Sequence, residues 1–265
     1  MIAIIDVDSL MFVIGNGNKL LDENYQPVKD ETGKFVYTEK TEEELIAAAD
    51  WAMNDVLYCS GADGYIAYIK GRHTTDVRKS INPEYKANRP KESPKWWSFV
   101  KQYLIEKWKV IPADNYEVDD YVNVVHKMLP DSFISAIDKD LLGLEGRHFN
   151  WKKKEWVEVT KEQEDYNFWA SMITGDTADN IKGIPKKGEK FAELLHKECT
   201  ECNTSQFHET ILTNYMKYFG ESEGIKQFYQ NYFALKIVDN IPGFVVPEIV
   251  KYSGVIEQKD DEIKF

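Results

Sequence analysis

The chain opens on Ile2-Ala3-Ile4-Ile5, an apolar run that meets Asp6 and Asp8 at its end. That is the profile of a buried parallel strand delivering carboxylates to one edge of a sheet. Residues 15–40 are polar and carry Asn-Gly-Asn and Glu-Thr-Gly-Lys turns, which predict an exposed hairpin or loop excursion. Thr41 followed by Glu44 is a capping-box pattern for a helix running to about Cys59. A second strand is expected over 64–69, then a basic, turn-rich stretch over 70–94. Aromatic and aliphatic residues at helical spacing predict a helix over 96–108. Residues 118–128 read as another helix, stopped by Pro130, and a third strand leads from Asp131 to Asp138. Residues 149–159 alternate around lysines as a hairpin, and from about Thr160 to Pro242 the signals are almost wholly helical.

Strands alternating with helices predict an α/β fold, a central, mostly parallel twisted sheet flanked by helices, over residues 1–160. Residues 161–250 are expected to form a helical, substrate-holding region and 251–265 a charged, loose tail. No internal repeat or low-complexity block stands out. With 43% hydrophobic and 13% aromatic residues among 265, the composition is that of an ordinary soluble globular protein. There is no long apolar run for a membrane span and no basic region at the start for a signal peptide. Three cysteines, an odd number, argue for a reducing compartment rather than a disulfide framework, so a cytoplasmic location is expected; a monomer is expected as well.

The formal charge of −12 argues against a general nucleic-acid coat protein. It does not exclude a nuclease, because carboxylates that hold divalent cations count as negative in that sum. Basic residues also cluster in 70–95 and 182–190, so a basic track beside an acidic centre is expected. Acids stand at element ends in four places: Asp6 with Asp8, Glu117 with Asp119 and Asp120, Asp138 with Asp140, and Asp176 with Asp179. Ligands of open α/β sheets sit outside the carboxyl ends of the strands, where these groups are predicted to meet. Converging carboxylates repel one another unless cations neutralise them, and oxygen-only ligation suits Mg²⁺ or Mn²⁺ rather than zinc. Two such ions about 3.5–4 Å apart can clamp the attacking and leaving oxygens of a phosphoryl displacement. A blander reading has Asp119, Asp120 and Asp140 merely answering helix dipoles.

The run Gly175-Asp176-Thr177-Ala178-Asp179 places two acids three residues apart, on one face if that turn is helical. It leads into a Gly- and Lys-rich hairpin whose exposed N–H groups suit a phosphate. Together with Ile-Asp-Val-Asp-Ser-Leu at 5–10, Pro-Glu-Tyr-Lys-Ala-Asn-Arg at 83–89, Glu-Val-Asp-Asp at 117–120 and Asp-Lys-Asp-Leu-Leu at 138–142, it resembles the 5′ nuclease superfamily. These are the flap endonucleases and 5′-to-3′ exonucleases, here most like a stand-alone phage-type member. The resemblance implies metal-site roles for Asp6, Asp119, Asp120, Asp138, Asp140, Asp176 and Asp179, with Glu117 the acid that opens the Glu-x-Asp-Asp motif. It implies that Lys86 and Arg89 contact the scissile phosphate and that Arg78 contacts nucleic acid nearby. The segment 181–192 matches a helix-three-turn-helix, in which Lys182, Gly183, Ile184, Lys186, Lys187, Gly188 and Lys190 would grip duplex phosphates. In the family a K⁺ ion is often held there by backbone carbonyls.

One departure concerns the second strand, where the family places an Asp and this chain has Gly71, or Lys70 after a one-residue slip. Asp8 is the candidate to compensate, with Asp76 a weaker one. The arch between Arg89 and Glu117 is short, so threading of free 5′ ends is a lesser requirement. The implied activity is two-metal hydrolysis of flap or nicked DNA during replication, with RNA–DNA primers a further substrate and a replication protein a partner the acidic tail could bind. The rival is a nucleic-acid-binding module of the same fold that has lost efficient cleavage, and a third reading is a single-strand RNase. His196, Cys199, Cys202 and His208 form only a weak zinc pattern, with incidental cysteines preferred. Trp96, Trp97, Tyr103 and Trp108 are weighed as core against base-stacking groups, with packing favoured for Trp108.

Overall fold

The computed structural model describes residues 1–89, 93–198 and 204–254. Cys199, Cys202 and the tail 255–265 lie outside these. The first part of the chain forms β1 (Ile2–Asp6), α1 (Asp8–Gly15), α2 (Glu42–Ser60), β2 (Gly64–Lys70), α3 (Asp76–Ile81), α4 (Trp97–Trp108) and β3 (Ile111–Ala113). It continues through α5 (Val118–Met128), β4 (Ser132–Ala136), β5 (Gly146–Asn150) and β6 (Glu155–Val159). These strands pair in the order β3-β2-β1-β4-β5-β6, all parallel except β6. Asp6 stands opposite Tyr68 and Ile5 opposite Ser135, so β1, β2 and β4 end together at one edge.

Both faces of the sheet are covered, which explains why the central strands read as near-continuous apolar runs. Leu10, Met11, Ile14, Met53, Val56 and Leu104 from α1, α2 and α4 pack on one face with Ile5, Ile69 and Phe133. Val118, Val122 and Val125 of α5 pack on the other with Ile4, Ile66 and Tyr68. α2 begins as its sequence predicts: Thr41 accepts from the Glu44 N–H while the Glu44 carboxylate accepts from the Thr41 N–H. α6 (Lys161–Thr174) is opened the same way by Thr160 and Gln163. α3, by contrast, lies in the stretch read as turns. It has six residues and is too short to announce itself by periodicity.

Residues 16–40 hold an internal repeat that the sequence reading missed. Lys19 pairs with Tyr37, Leu21 with Pro27 and Lys29 with Phe35. The N–H of Leu20 donates to Val36 O, that of Val28 to Leu20 O and that of Val36 to Val28 O, closing three short strands into a ring. Asp22 accepts from the N–H groups of Asn24 and Gln26, and Asp30 likewise from Thr32 and Lys34. Tyr25 and Gly33 take the matching left-handed positions, at φ 59° and 82°. Asp-Glu-Asn-Tyr-Gln and Asp-Glu-Thr-Gly-Lys are thus two copies of one turn, and only backbone geometry makes the likeness visible.

After α6 come β7 (Gly175–Asp176), β8 (Ile181–Lys182), α7 (Glu189–Glu198), α8 (Thr204–Phe219) and α9 (Glu221–Leu235). Their shared core is Trp169, Met172, Ile173, Ile184, Ile211, Tyr215 and Phe228. The chain then returns to the sheet. Ile237, Phe244 and Val246 pack beside Tyr68 and Val125, and β9 (Val250–Lys251) pairs antiparallel with β2. The expected division at residue 250 is therefore corrected: residues 237–252 belong with the sheet, and the helical region is inserted between β6 and β9. Among the described residues no helix is long and apolar enough to cross a membrane.

Candidate active site

A cavity of about 1150 Å³ follows the carboxyl edge of the sheet, past Lys70, Asp6 and Asp138 to Trp151. Asp6, Asp8, Glu117, Asp119, Asp138, Asp140 and Asp179 all line it. Asp6 is 4% exposed. It accepts from the Asp8 N–H at 2.9 Å and from the Ser9 hydroxyl at 2.7 Å. Even so, burial, then the charges of Asp8 and Asp138, push its pKa up to about 7. Burial raises Asp119 well above the carboxylate range, followed by the charges of Asp6, Asp138 and Glu117. Asp140 rises to about 6 through burial and then Asp138. This part of the site carries more negative charge than its surroundings neutralise.

Asp8 turns into the same edge. Its Oδ1 accepts from the Lys70 N–H at 2.8 Å, which ties α1 to the end of β2. Its pKa is raised by burial, against the opposing influence of Lys70, Lys101 and Lys86. Gly71 has no room for a side chain, since a Cβ there would lie 2.4 Å from Ala113 O and 2.3 Å from Asp114 Oδ1. Asp8 therefore brings a carboxylate to the end of β2, where position 71 cannot. Asp76 is outside the cavity lining and pairs with His73 at 2.9 Å.

The opposite wall is built by residues 82–89. Lys86 sits in the left-handed region at φ 55°, and its N–H donates to Asp179 O at 2.9 Å. Its ammonium reaches Glu117 at 2.5 Å and Asp179 at 3.6 Å, while Arg89 pairs with Asp179 at 2.7 Å. The Tyr85 hydroxyl stands 2.6 Å from Glu117 Oε2 and 3.0 Å from Asp179 Oδ2. Burial alone would raise Glu117, but Lys86 and Arg78 outweigh it and hold its pKa low. The sequence reading passed over Tyr85. Its signal was its place beside Lys86 in the Pro-Glu-Tyr-Lys run.

Several expected site residues are placed differently. Asp176 and Asp179 share no helical face, because residues 177–180 form a turn between β7 and β8. Asp176 lies outside the cavity lining and caps that turn by accepting from the N–H groups of Ala178 and Asp179. Lys139, also overlooked, donates to it at 2.8 Å. Burial favours the neutral form of Asp176, but Lys139 prevails and its pKa is lowered.

Asp120 and Arg78 are corrected together. Arg78 is 7% exposed and Asp120 fully buried. They form a two-pronged pair at 2.7 and 2.8 Å, and the guanidinium also donates to Ala234 O and Lys236 O. Asp120 accepts further from the N–H groups of Glu117 and Val238. Neither group is free for metal or nucleic acid; they brace α3, α5 and the end of α9. Arg78→Met should lower stability by about 3 kcal/mol in urea unfolding, since it strands a buried carboxylate.

In the hairpin, Ile184 is also reassigned. It is 3% exposed in the helical core, and its N–H donates to Ile173 O. Gly183 serves close approach, since a Cβ there would lie 2.2 Å from Ile173 O. Lys182, Lys186 and Lys190 are exposed, Lys186 at φ 63°. Gly188 is open ahead of α7, and Lys187 lies over the Phe191 ring at 4.0 Å. Of the weak zinc pattern, His196 packs against Tyr166 and Phe207, and His208 against Phe228 and Trp169. Trp108 donates to Asp50 at 2.7 Å, and Trp97 packs edge-on against Phe12. Among the described residues no three His, Cys, Asp or Glu side chains stand ready to hold a metal as they are. Protein cations lie between several of the acids instead.

No family model matches the chain. A phage T5 5′-exonuclease with bound zinc superposes with a TM-score of 0.59 over 88% of each chain, at 14% identity. The fold is that of the 5′ nucleases. A bacteriophage T5 flap endonuclease, in a complex with DNA and metal ions, gives 0.57 over 88% of each chain at 15% identity. DNA polymerase I of Caldicellulosiruptor bescii is 26% identical over 51% of this chain and 18% of its own length. The chain thus spans under a fifth of that curated relative. The 5′ nuclease fold accounts for the sheet edge on which the acids gather.

Proposed function

We propose that the protein is a divalent-metal-dependent 5′ nuclease, both exonuclease and flap endonuclease, hydrolysing phosphodiesters of DNA near a 5′ end. The observation that carries this reading is the crowd of buried carboxylates around Asp6 and Asp119, whose pKa values are driven up by burial and by one another. Such a crowd asks for external positive charge, and its donors are all oxygen, which fits Mg²⁺ or Mn²⁺. Asp6, Asp8, Asp119, Asp138, Asp140 and Asp179 would hold the metal. When bound it supplies charge opposite the phosphate and acidifies water. The likeness to the T5 5′-exonuclease and flap endonuclease, and the polymerase I match, support the same class.

The chain's own residues supply the rest. Lys86 and Arg89 place two positive charges on the wall facing the acids, where charge grows on the phosphate during attack. Glu117, held by Arg78, Tyr85 and Lys86, fixes where the lysine stands. The exposed lysines before α7, and the open backbone at Gly188, suit the phosphates of a duplex, so binding weakens with salt. RNA–DNA primers fit the same contacts.

The test is Mg²⁺-dependent cleavage of a 5′-labelled flap duplex. Wild type is expected to cut near the junction and Asp179→Ala to lose the cut; no cleavage by wild type overturns the reading. In the same assay Asp8→Asn, which keeps an acceptor for the Lys70 N–H, should need several-fold more Mg²⁺. An unchanged Mg²⁺ requirement removes Asp8 from the site.

A further inference from the structure

The cavity does not end at the carboxylates. Beyond Asp138 it continues to Val13 on α1, Trp51 on α2 and the turn after β5 that carries Trp151 and Lys152. Trp51 is 61% exposed, although its neighbours Ala52 and Met53 are buried, so its ring serves no core. Trp151 is 5% exposed, and its Nε1 has no hydrogen-bond partner among the described residues. Lys152 is exposed beside it, and Asp55, which also lines this end, is neutralised by Lys154. Away from the acids, then, the cavity becomes aromatic and cationic.

We propose that this end is a subsite for unpaired nucleotides of the strand being cut: a base stacks on Trp51 and Lys152 meets a phosphate. The proposal rests on the nuclease reading, because the subsite shares its cavity with the carboxylates. Stacking on Trp51 requires an open base face, which in a duplex is covered by neighbouring bases, so the occupant is single-stranded. The subsite makes the enzyme favour a flap over a fully paired 5′ end.

Two substrates with the same duplex decide it, one with an unpaired 5′ flap and one nicked with its 5′ end paired. The kcat/KM of each is measured in Mg²⁺ for wild type, Trp51→Ala and Trp51→Phe, and the Kd of each in Ca²⁺ by anisotropy. Trp51→Ala should lose roughly ten-fold or more on the flap, well beyond its loss on the nick, and Trp51→Phe should recover most of it. Equal losses on both substrates, or none on the flap, overturn the subsite. If wild type cuts neither substrate, the nuclease reading falls and the Kd values decide. The subsite then stands only if wild type prefers the flap and Trp51→Ala erases that preference.

Discussion

Asp6→Asn is expected to cut flap cleavage by about a thousand-fold or more while making the metal-free protein more stable. Asn keeps an acceptor for the Asp8 N–H and turns an NH2 toward the Ser9 hydroxyl oxygen, which can accept from it, while removing one charge from the buried cluster. The sign of the stability effect follows from the raised pKa. Between the ordinary value of 3.8 and about 7, the folded protein holds a proton on Asp6 that the unfolded chain has released. Stability contributed by this group is therefore complete at low pH and is lost as pH rises toward 7. In EDTA the advantage of Asp6→Asn over wild type should grow across that window, to about 3 kcal/mol at neutral pH. Comparing the two proteins cancels the opposite contribution of His126, whose pKa burial and His148 lower to about 4. Mg²⁺ should shrink the difference by stabilising wild type. Urea unfolding from pH 4 to 8, with and without Mg²⁺, measures it, and a pH-independent difference removes Asp6 from the charged cluster.

Lys86→Met should also lose about a thousand-fold in cleavage, with flap affinity in Ca²⁺ falling far less. Its stability effect runs the other way. Lys86 is one of the groups that hold Glu117 below its ordinary pKa of 4.5, although burial works against it. A carboxyl with a depressed folded pKa contributes stability above its unfolded value and loses it as pH falls through the folded one. At pH 7 Lys86→Met should cost about 2 kcal/mol, with Arg78 and Tyr85 still holding Glu117, and the cost should fade below about pH 4. Two variants with similar losses of activity thus shift stability in opposite directions. Equal signs in urea unfolding at pH 7 would mean that the acidic and basic walls are not electrostatically distinct.

Much of this was legible in the chain. β1, β2 and α5 announce themselves by apolar runs or helical spacing, and α2 by a capping box that the fold makes in full. The acids of the cavity were also readable, because each stands where an element ends. The failures share a cause, since they concern direction rather than location. Asp119 and Asp120 are adjacent on a helix and so face about 100° apart: one lines the cavity and the other is buried against Arg78. Ile184 sits within a basic hairpin yet points into the helical core. The return of residues 237–252 to the sheet depends on a two-residue strand, too short for any periodic signal. Asp8 could be read as the stand-in for the missing second-strand acid, but the sequence does not show that position 71 is too crowded for any side chain.

The turn between β7 and β8 is bound to the segment that carries Lys86 and Arg89. The Lys86 N–H donates to Asp179 O, the Asn88 side chain to Thr177 O and the Asn180 side chain to Glu84 O. The lysine hairpin begins two residues beyond that turn. On the proposed reading, the hairpin that would grip and the segment that would cut are thus tied directly to each other by these hydrogen bonds. In a nuclease so built, the number of nucleotides between the held phosphate and the broken one would be set by the length of backbone between the two segments.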